Sequence, residues 1–200
     1  MTDPGTPRTD AGVTSRSTSV TSRSTSVTVR SATTADAPAC AAIYAPYVIG
    51  TTITFETVPP TPEQMAVRIE ESLNGYAWLV LERSGQVVGY ACAHRFAERA
   101  AYAWSCETSI YVHPEVRGRG AGRALYTTLL PILAERGYRR AYAGITQPNE
   151  PSMAIHARFG FETVGVFRQV GWKDGRWLDV AWLQRDLVAG DRGEPPAELR

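Results

Sequence analysis

Cysteine is scarce in this 200-residue chain: Cys40, Cys92 and Cys106 are odd in number and contain no C-x-x-C pair. That spacing excludes a disulfide framework and a thiolate metal site, and it points to reduced, buried thiols in a cytoplasmic protein. Histidine is equally sparse. His94, His113 and His156 form no H-x-H or H-x-x-x-H pair, so no metal is expected. Neither sign of charge is in excess, with 21 Lys and Arg against 20 Asp and Glu. A formal charge of +1 gives no long-range attraction to nucleic acid or an anionic membrane. No apolar run approaches the ~20 residues of a membrane span, and the N-terminal region lacks the apolar segment of a signal peptide.

What the chain does contain divides it in three. Residues 1–26 are dominated by Ser, Thr, Arg, Gly and Pro, and TSRSTSV at 14–20 recurs at 21–27. Such a segment has too little apolar surface to offset chain entropy, and disorder is expected there. Residues 27–188 carry the apolar periodicity of one folded domain. The tail from 189 to 200, rich in Gly, Pro and charge, is again expected to be disordered.

Within the domain, Val27 to Arg30 reads as a short strand, followed by a helix with Thr34 as its expected N-cap. Residues 51–57 form an irregular link to a second helix, Thr61 to about Asn74, with Met65, Ile69 and Leu73 at helical spacing. Tyr76 to Glu82 and Gln86 to His94 alternate as strands about an Arg83-Ser84-Gly85 turn. Ala101 to Val112 is the third strand, and Ala121 to Arg136 a helix containing Pro131. A strand at Tyr138 to Ile145, a short helix ending near Arg158, and two strands joined by Lys173-Asp174-Gly175-Arg176 complete the pattern. The order β-α-α-β-β-β-α-β-α-β-β predicts an α/β fold with a mixed, mostly antiparallel central sheet and flanking helices.

The chemistry concentrates in Ser105 to Tyr126, SCETSIYVHPEVRGRGAGRALY. Strand alternation puts Glu107, Ser109 and Tyr111 on one face and Thr108, Ile110 and Val112 on the other. The run Arg117, Gly118, Arg119, Gly120, Ala121, Gly122, Arg123 then opens a helix. Unpaired amides and the positive end of the dipole make that position suited to an anion such as a pyrophosphate. A Walker loop is excluded because Arg123-Ala124 stands where Lys-Ser/Thr is needed, and the glycines lack the G-x-G-x-x-G spacing of a dinucleotide site. An ordinary glycine-rich turn is the other reading of the residues alone.

The pattern R/Q-x-x-G-x-G/A, met by Arg117, Gly120 and Gly122, resembles the acyl-CoA loop of the GNAT N-acetyltransferase superfamily. Asn149, Ser152 and the following Arg158-Phe159-Gly160-Phe161 are similar to a further motif of that superfamily, at the expected distance. WSCETSIYV, ALYTTLL, QPNEPS, IHARFGF, GWKDGRWLDV and WLQRDL narrow the resemblance to phosphinothricin and methionine-sulfoximine acetyltransferases, over about 27–187.

The resemblance implies the GNAT fold and transfer of the acetyl group of acetyl-CoA, with no metal, to the α-amine of a small amino-acid-like substrate. It implies Glu107 as general base and His156 as a second catalytic group, acid or base. It further implies that Ser109, Ile110, Tyr111 and Val112 offer backbone groups, and Asn149 an amide, to the pantetheine arm. Arg117 to Arg123 would hold the pyrophosphate. Phe55, Arg99 and Tyr102, with Trp172 beside them, would line the acceptor pocket, Arg99 pairing an oxyanion. A homodimer is implied as well. On residues alone Glu107 is also readable as a solvated strand glutamate. Protein N-terminal or lysine acetylation and non-catalytic acyl-CoA binding are the alternative functions.

Overall fold

The computed structural model describes residues 26–189 together with Met1 and Leu199. The two expected disordered tails therefore fall almost wholly outside the described residues. Strands β1 (Val27–Ser31), β2 (Trp78–Arg83), β3 (Gln86–Arg95), β4 (Ser105–Val112), β5 (Arg140–Thr146), β6 (Glu162–Lys173) and β7 (Arg176–Asp186) form one sheet. Its order is β1-β2-β3-β4-β5-β7-β6. Every neighbouring pair is antiparallel except β4 with β5, which is parallel. Helices α1 (Ala37–Gly50), α2 (Pro62–Leu73), α3 (Ala121–Glu135) and α4 (Glu150–Arg158) complete the order read from the sequence.

Period-two alternation gives the sheet two apolar faces. On β2, Leu79 and Leu81 pack with Ala91, Cys106 and Phe161 against Leu125, Tyr126, Leu129 and Leu133 of α3. Trp78 and Val80 point the other way, with Tyr90 and Cys92, onto Ile43, Tyr44, Met65 and Ile69 of α1 and α2. The three cysteines are free and buried, and desolvation pushes each thiol up to about 12.

Two local expectations need correction. The third strand begins at Ser105, because Ala100–Tyr102 winds into a 3-10 turn in which Tyr102 N donates to Arg99 O at 2.9 Å. The α1 region is capped one residue earlier than expected. Thr33 precedes a 3-10 turn, Asp36 accepts from Thr33 N at 2.8 Å, and Arg30 grips the same carboxylate with two 2.8 Å bonds. That charge-assisted fork holds the Asp36 carboxyl below its ordinary pKa.

Candidate active site

The site begins where the sheet comes apart. β4 and β5 pair only through Ser105↔Arg140, Cys106↔Ala141 and Glu107↔Tyr142, then separate, while β5 continues along β7 as far as Thr146↔Val180. The opening holds a small cavity of about 50 Å³, lined by Ser109, Ile110 and Tyr111 on one side, Gly144 on the other, and Asn149 and His156 from α4 and its cap. His113 N donates to Val88 O at 2.8 Å, so by antiparallel alternation the odd-numbered residues of β4 bond toward β3 and the even-numbered ones face the gap. Ile110 thus offers an amide and a carbonyl to whatever enters. Val112 does not. Its carbonyl accepts from Tyr47 Oη at 2.6 Å and its N–H donates to the same oxygen at 3.3 Å, which corrects the expectation that backbone groups throughout 109–112 are available.

Glu107 stands at the last pair before the opening. It is half-buried, with His94 directly opposite on β3. Burial lifts its carboxyl above the ordinary value, and the field of His94 opposes that shift. On the same face of the sheet, a cavity of about 860 Å³ is lined by Ser109 and Tyr111 of β4, His94 of β3, Glu98, and Glu56 and Arg68 from the α1–α2 side. Glu107 lines neither cavity itself; its neighbours Thr108 and Ser109 line the slot, and its cross-strand partner His94 lines the larger cavity. A carboxylate of raised pKa beside both is suited to take a proton from a group in the cavity as it reacts with one in the slot.

Beyond the slot, the glycines of the run serve two different purposes. Gly118 (φ +73°) and Gly120 (φ +81°) occupy the left-handed region, where a side chain costs about 1–2 kcal/mol. Gly122 is needed for closeness instead: a Cβ there would lie 2.5 Å from Ile155 Cδ1 and 3.3 Å from Ile110 Cδ1. The α3 ladder starts with Ala124 N donating to Gly120 O at 3.0 Å, so the amides of Ala121, Gly122 and Arg123 have no carbonyl one turn back. Arg119, Gly120, Ala121 and Arg123 border a groove beside β1, whereas Arg117 lies over the Tyr47 ring at 4.8 Å. Asn149 caps α4, its Oδ1 accepting from Ser152 N at 3.3 Å, which leaves its amide NH₂ to face the slot.

The sequence family described as the Acetyltransferase (GNAT) domain matches residues 29–182. The chain belongs to the GNAT acetyltransferases. It is similar to a phosphinothricin N-acetyltransferase of Streptomyces coelicolor, 44% identical over 149 residues, covering 72% of this chain and 87% of that one. An L-methionine sulfoximine/L-methionine sulfone acetyltransferase of Salmonella typhimurium is 34% identical over 157 residues, 78% and 92% of the two chains. Among solved structures, a phosphinothricin acetyltransferase of Sinorhizobium meliloti in complex with AcCoA superposes with a TM-score of 0.81 at 38% identity, covering 86% of this chain and 94% of that one. The protein is accordingly an acetyl-CoA-dependent N-acetyltransferase, as its sequence implied.

In this acetyltransferase His156 is buried, with both ring nitrogens engaged. Nδ1 lies 2.7 Å from the Ser152 carbonyl and must carry the proton that it donates. Nε2 therefore accepts from Tyr126 Oη at 2.9 Å. Tyr126 Oη also meets Thr108 Oγ1 at 3.2 Å, and Thr108 donates to Tyr142 O at 3.2 Å. Burial lowers the His156 pKa, so the neutral ring has no proton on the nitrogen turned toward Tyr126.

None of the expected acceptor residues lines the acetyltransferase's large cavity. Phe55 and Arg99 adjoin Glu56 and Glu98, which do line it. Phe55 and Tyr102 are exposed, and Tyr102 meets Phe96 edge-on at 5.8 Å. Arg99 is exposed at the start of the 3-10 turn; its carbonyl accepts from Tyr102 N, while its guanidinium has no hydrogen-bond or ion-pair partner among the described residues. Trp172 lies elsewhere, edge-on to Trp177 at 5.3 Å on the exposed face of the β6–β7 hairpin.

Sequence reasoning missed His94, Arg68, Glu56, Tyr126 and Thr108. The first three become neighbours of the cavity only through strand register and helix placement, for which short-range periodicity carries no signal. Tyr126 had one. It falls on the inward stripe of α3 with Leu125 and Leu129, where a buried hydroxyl demands a partner. Among the described residues no group of His, Cys, Asp and Glu is arranged to hold a metal ion, and no helix is long and apolar enough to cross a membrane.

Proposed function

We propose that the enzyme acetylates the α-amine of a small amino-acid-like substrate of the phosphinothricin or methionine sulfoximine and sulfone type. The observation that carries this reading is the position of Glu107, half-buried at the point where β4 and β5 part, next to Thr108 and Ser109 of the slot and opposite His94 of the 860 Å³ cavity. In this reading Ile110 and Asn149 hold the pantetheine arm. The free amides of Ala121 to Arg123, with Arg117, Gly118, Arg119 and Gly120, hold the pyrophosphate. Acetyl-CoA supplies an electrophilic thioester carbon.

Glu107 removes a proton from the substrate ammonium, and the freed nitrogen bonds to that carbon as the carbon–sulfur bond breaks. The second proton lost from nitrogen balances the one the thiolate takes up. The partners of His156 support a role in fixing the floor of the slot, since the neutral ring offers no free proton to a thiolate. Arg99, exposed and unpaired among the described residues, supplies a fork for the acceptor's oxyanion, with Phe55 and Tyr102 as apolar walls.

Thiol release from acetyl-CoA, compared across phosphinothricin, methionine sulfoximine, methionine sulfone, plain amino acids and N-terminal peptides, tests the assignment. The first three should lead in kcat/KM. A peptide that leads by about tenfold or more would replace this reading with a protein-acetylating one.

Two broader features belong to the same reading. Val164, Val166, Phe167, Val170, Trp172 and Trp177 make an exposed apolar band on β6 and β7, which supports a homodimer. A single-chain mass in sedimentation at micromolar concentration would sink it. Three free thiols and the near-neutral charge support a cytoplasmic enzyme without a nucleic-acid partner; a fractionation that finds the native enzyme outside the cytoplasm would refute the location.

A further inference from the structure

The link between α1 and α2, residues 51–57, touches both halves of the site. Ile53 lines the slot and Glu56 lines the large cavity, with Phe55 exposed between them. The segment has almost no regular structure, so its position must come from outside. Part of the restraint is local: Arg68 grips the Glu56 carboxylate at 2.8 and 3.0 Å, and Tyr44 Oη meets Thr54 Oγ1 at 2.5 Å. The rest comes from far along the chain.

Lys173, at the end of β6, is one of the few buried charged side chains among the described residues, 5% exposed. Its Nζ donates to the carbonyls of Val48, Thr54 and Glu56 at 2.7, 2.8 and 2.9 Å. These three bonds use every proton of the ammonium group and tie the end of α1 to the two residues that flank Phe55. Two residues earlier, Gly171 lies against Phe55 itself. A Cβ at Gly171 would overlap three atoms of that ring, so no side chain fits there unless the ring moves.

The geometry has a source in the strand. Register along β6 shifts between Phe167 and Gly171, where Phe167 pairs with Val180 and Gly171 with Leu178. Gln169 takes a φ of +49° there, and its N–H donates to Asp179 Oδ1 at 2.8 Å. Bulges of this kind re-aim the residues that follow. Trp172 therefore faces outward while Gly171 and Lys173 face the loop. No step of the reaction uses either residue.

We infer that Gly171 and Lys173 form a specificity device: the β6 hairpin fixes the 51–57 loop, and through Phe55 it sets the size and shape of acceptor that the site admits. Both are positioning residues. The inference rests on the proposed acceptor role of Phe55, and the test separates the two.

Four variants are needed: Lys173→Met, Gly171→Ala, Phe55→Ala and the Gly171→Ala/Phe55→Ala pair. Each is assayed for acceptor KM and kcat across the substrate panel, for acetyl-CoA affinity by calorimetry, and for amide exchange over residues 51–57. Lys173→Met should speed exchange in that loop and raise acceptor KM by about tenfold, with acetyl-CoA affinity changed less than about threefold. Gly171→Ala should alter the ranking of short against long acceptors, and in the Phe55→Ala background it should do nothing further, because its effect passes through that ring.

Native exchange at 51–57 in Lys173→Met overturns the clamp. An equal effect of Gly171→Ala with and without Phe55, or no effect at all, overturns the specificity role. An unchanged acceptor KM in Phe55→Ala overturns the acceptor assignment itself, and loop exchange still decides the clamp. Should Lys173→Met fail to fold, Gly171→Ala and its pair with Phe55→Ala decide the matter.

Discussion

A carboxyl group that must accept a proton near neutrality cannot be left in water, and Glu107 shows how the chain solves this with one strand position. Its neighbours desolvate it, and its pKa rises above the ordinary carboxylate value. The sign of the consequence for stability is opposite to that of a salt-bridged acid. A group with a raised folded-state pKa contributes fully below its unfolded value, and the contribution is lost as pH climbs through the folded one. Glu107→Gln should therefore lower kcat by about 10²–10⁴-fold while leaving acetyl-CoA affinity near normal. The same variant should melt at or above the temperature of the parent at pH 8, an advantage that fades toward pH ~4. An unaltered kcat would remove Glu107 from the chemistry. In the parent, kcat/KM should fall on the acid side with a midpoint above the ordinary ~4.3 of glutamate.

At the scale of elements, much was legible and the reason differs from case to case. Helices α2 and α3 were readable because Met65, Ile69, Leu125, Leu129 and Leu133 recur at helical spacing and are buried where that spacing puts them. The β4–α3 junction was readable from its glycines, yet the sequence could not distinguish their reasons. Gly118 and Gly120 serve backbone conformation, and Gly122 serves the approach of α3 to Ile155 on α4, a contact between segments some thirty positions apart. Separation by substitution follows from that difference. Gly122→Ala should cost about 1–3 kcal/mol through crowding, and Ile155→Val, which deletes the atom that crowds it, should make the pair less costly than the sum of the single changes. Denaturant unfolding of the four proteins reads this out, and simple additivity would refute the contact. Gly120→Asp has open space around it but a φ of +81°, so beside the left-handed cost of about 1–2 kcal/mol it should lower acetyl-CoA affinity, by placing a negative charge beside the pyrophosphate site. Calorimetry showing no loss there would mean the pyrophosphate binds elsewhere. What stayed illegible was everything set by register: the pairing of His94 with Glu107 and the reach of Lys173 to Val48, Thr54 and Glu56.

For the molecule as a whole, the sheet can be regarded as two plates, β1 to β4 and β5 to β7, that share only the three rungs from Ser105↔Arg140 to Glu107↔Tyr142. A seam this short is where cooperativity should be weakest. Acetyl-CoA lying along it would work as a rivet between the plates, so the ligand's effect on breathing should be concentrated at the seam. Without ligand, the amide of Ile110, which faces the gap, should exchange much faster than that of Ser109, which faces β3. Acetyl-CoA at about a hundred times its Kd should raise global stability by about 2.7 kcal/mol and slow Ile110 far more than Ser109. Equal protection of the two amides in the free enzyme would show that the plates already move as one body, and that binding has no seam to close.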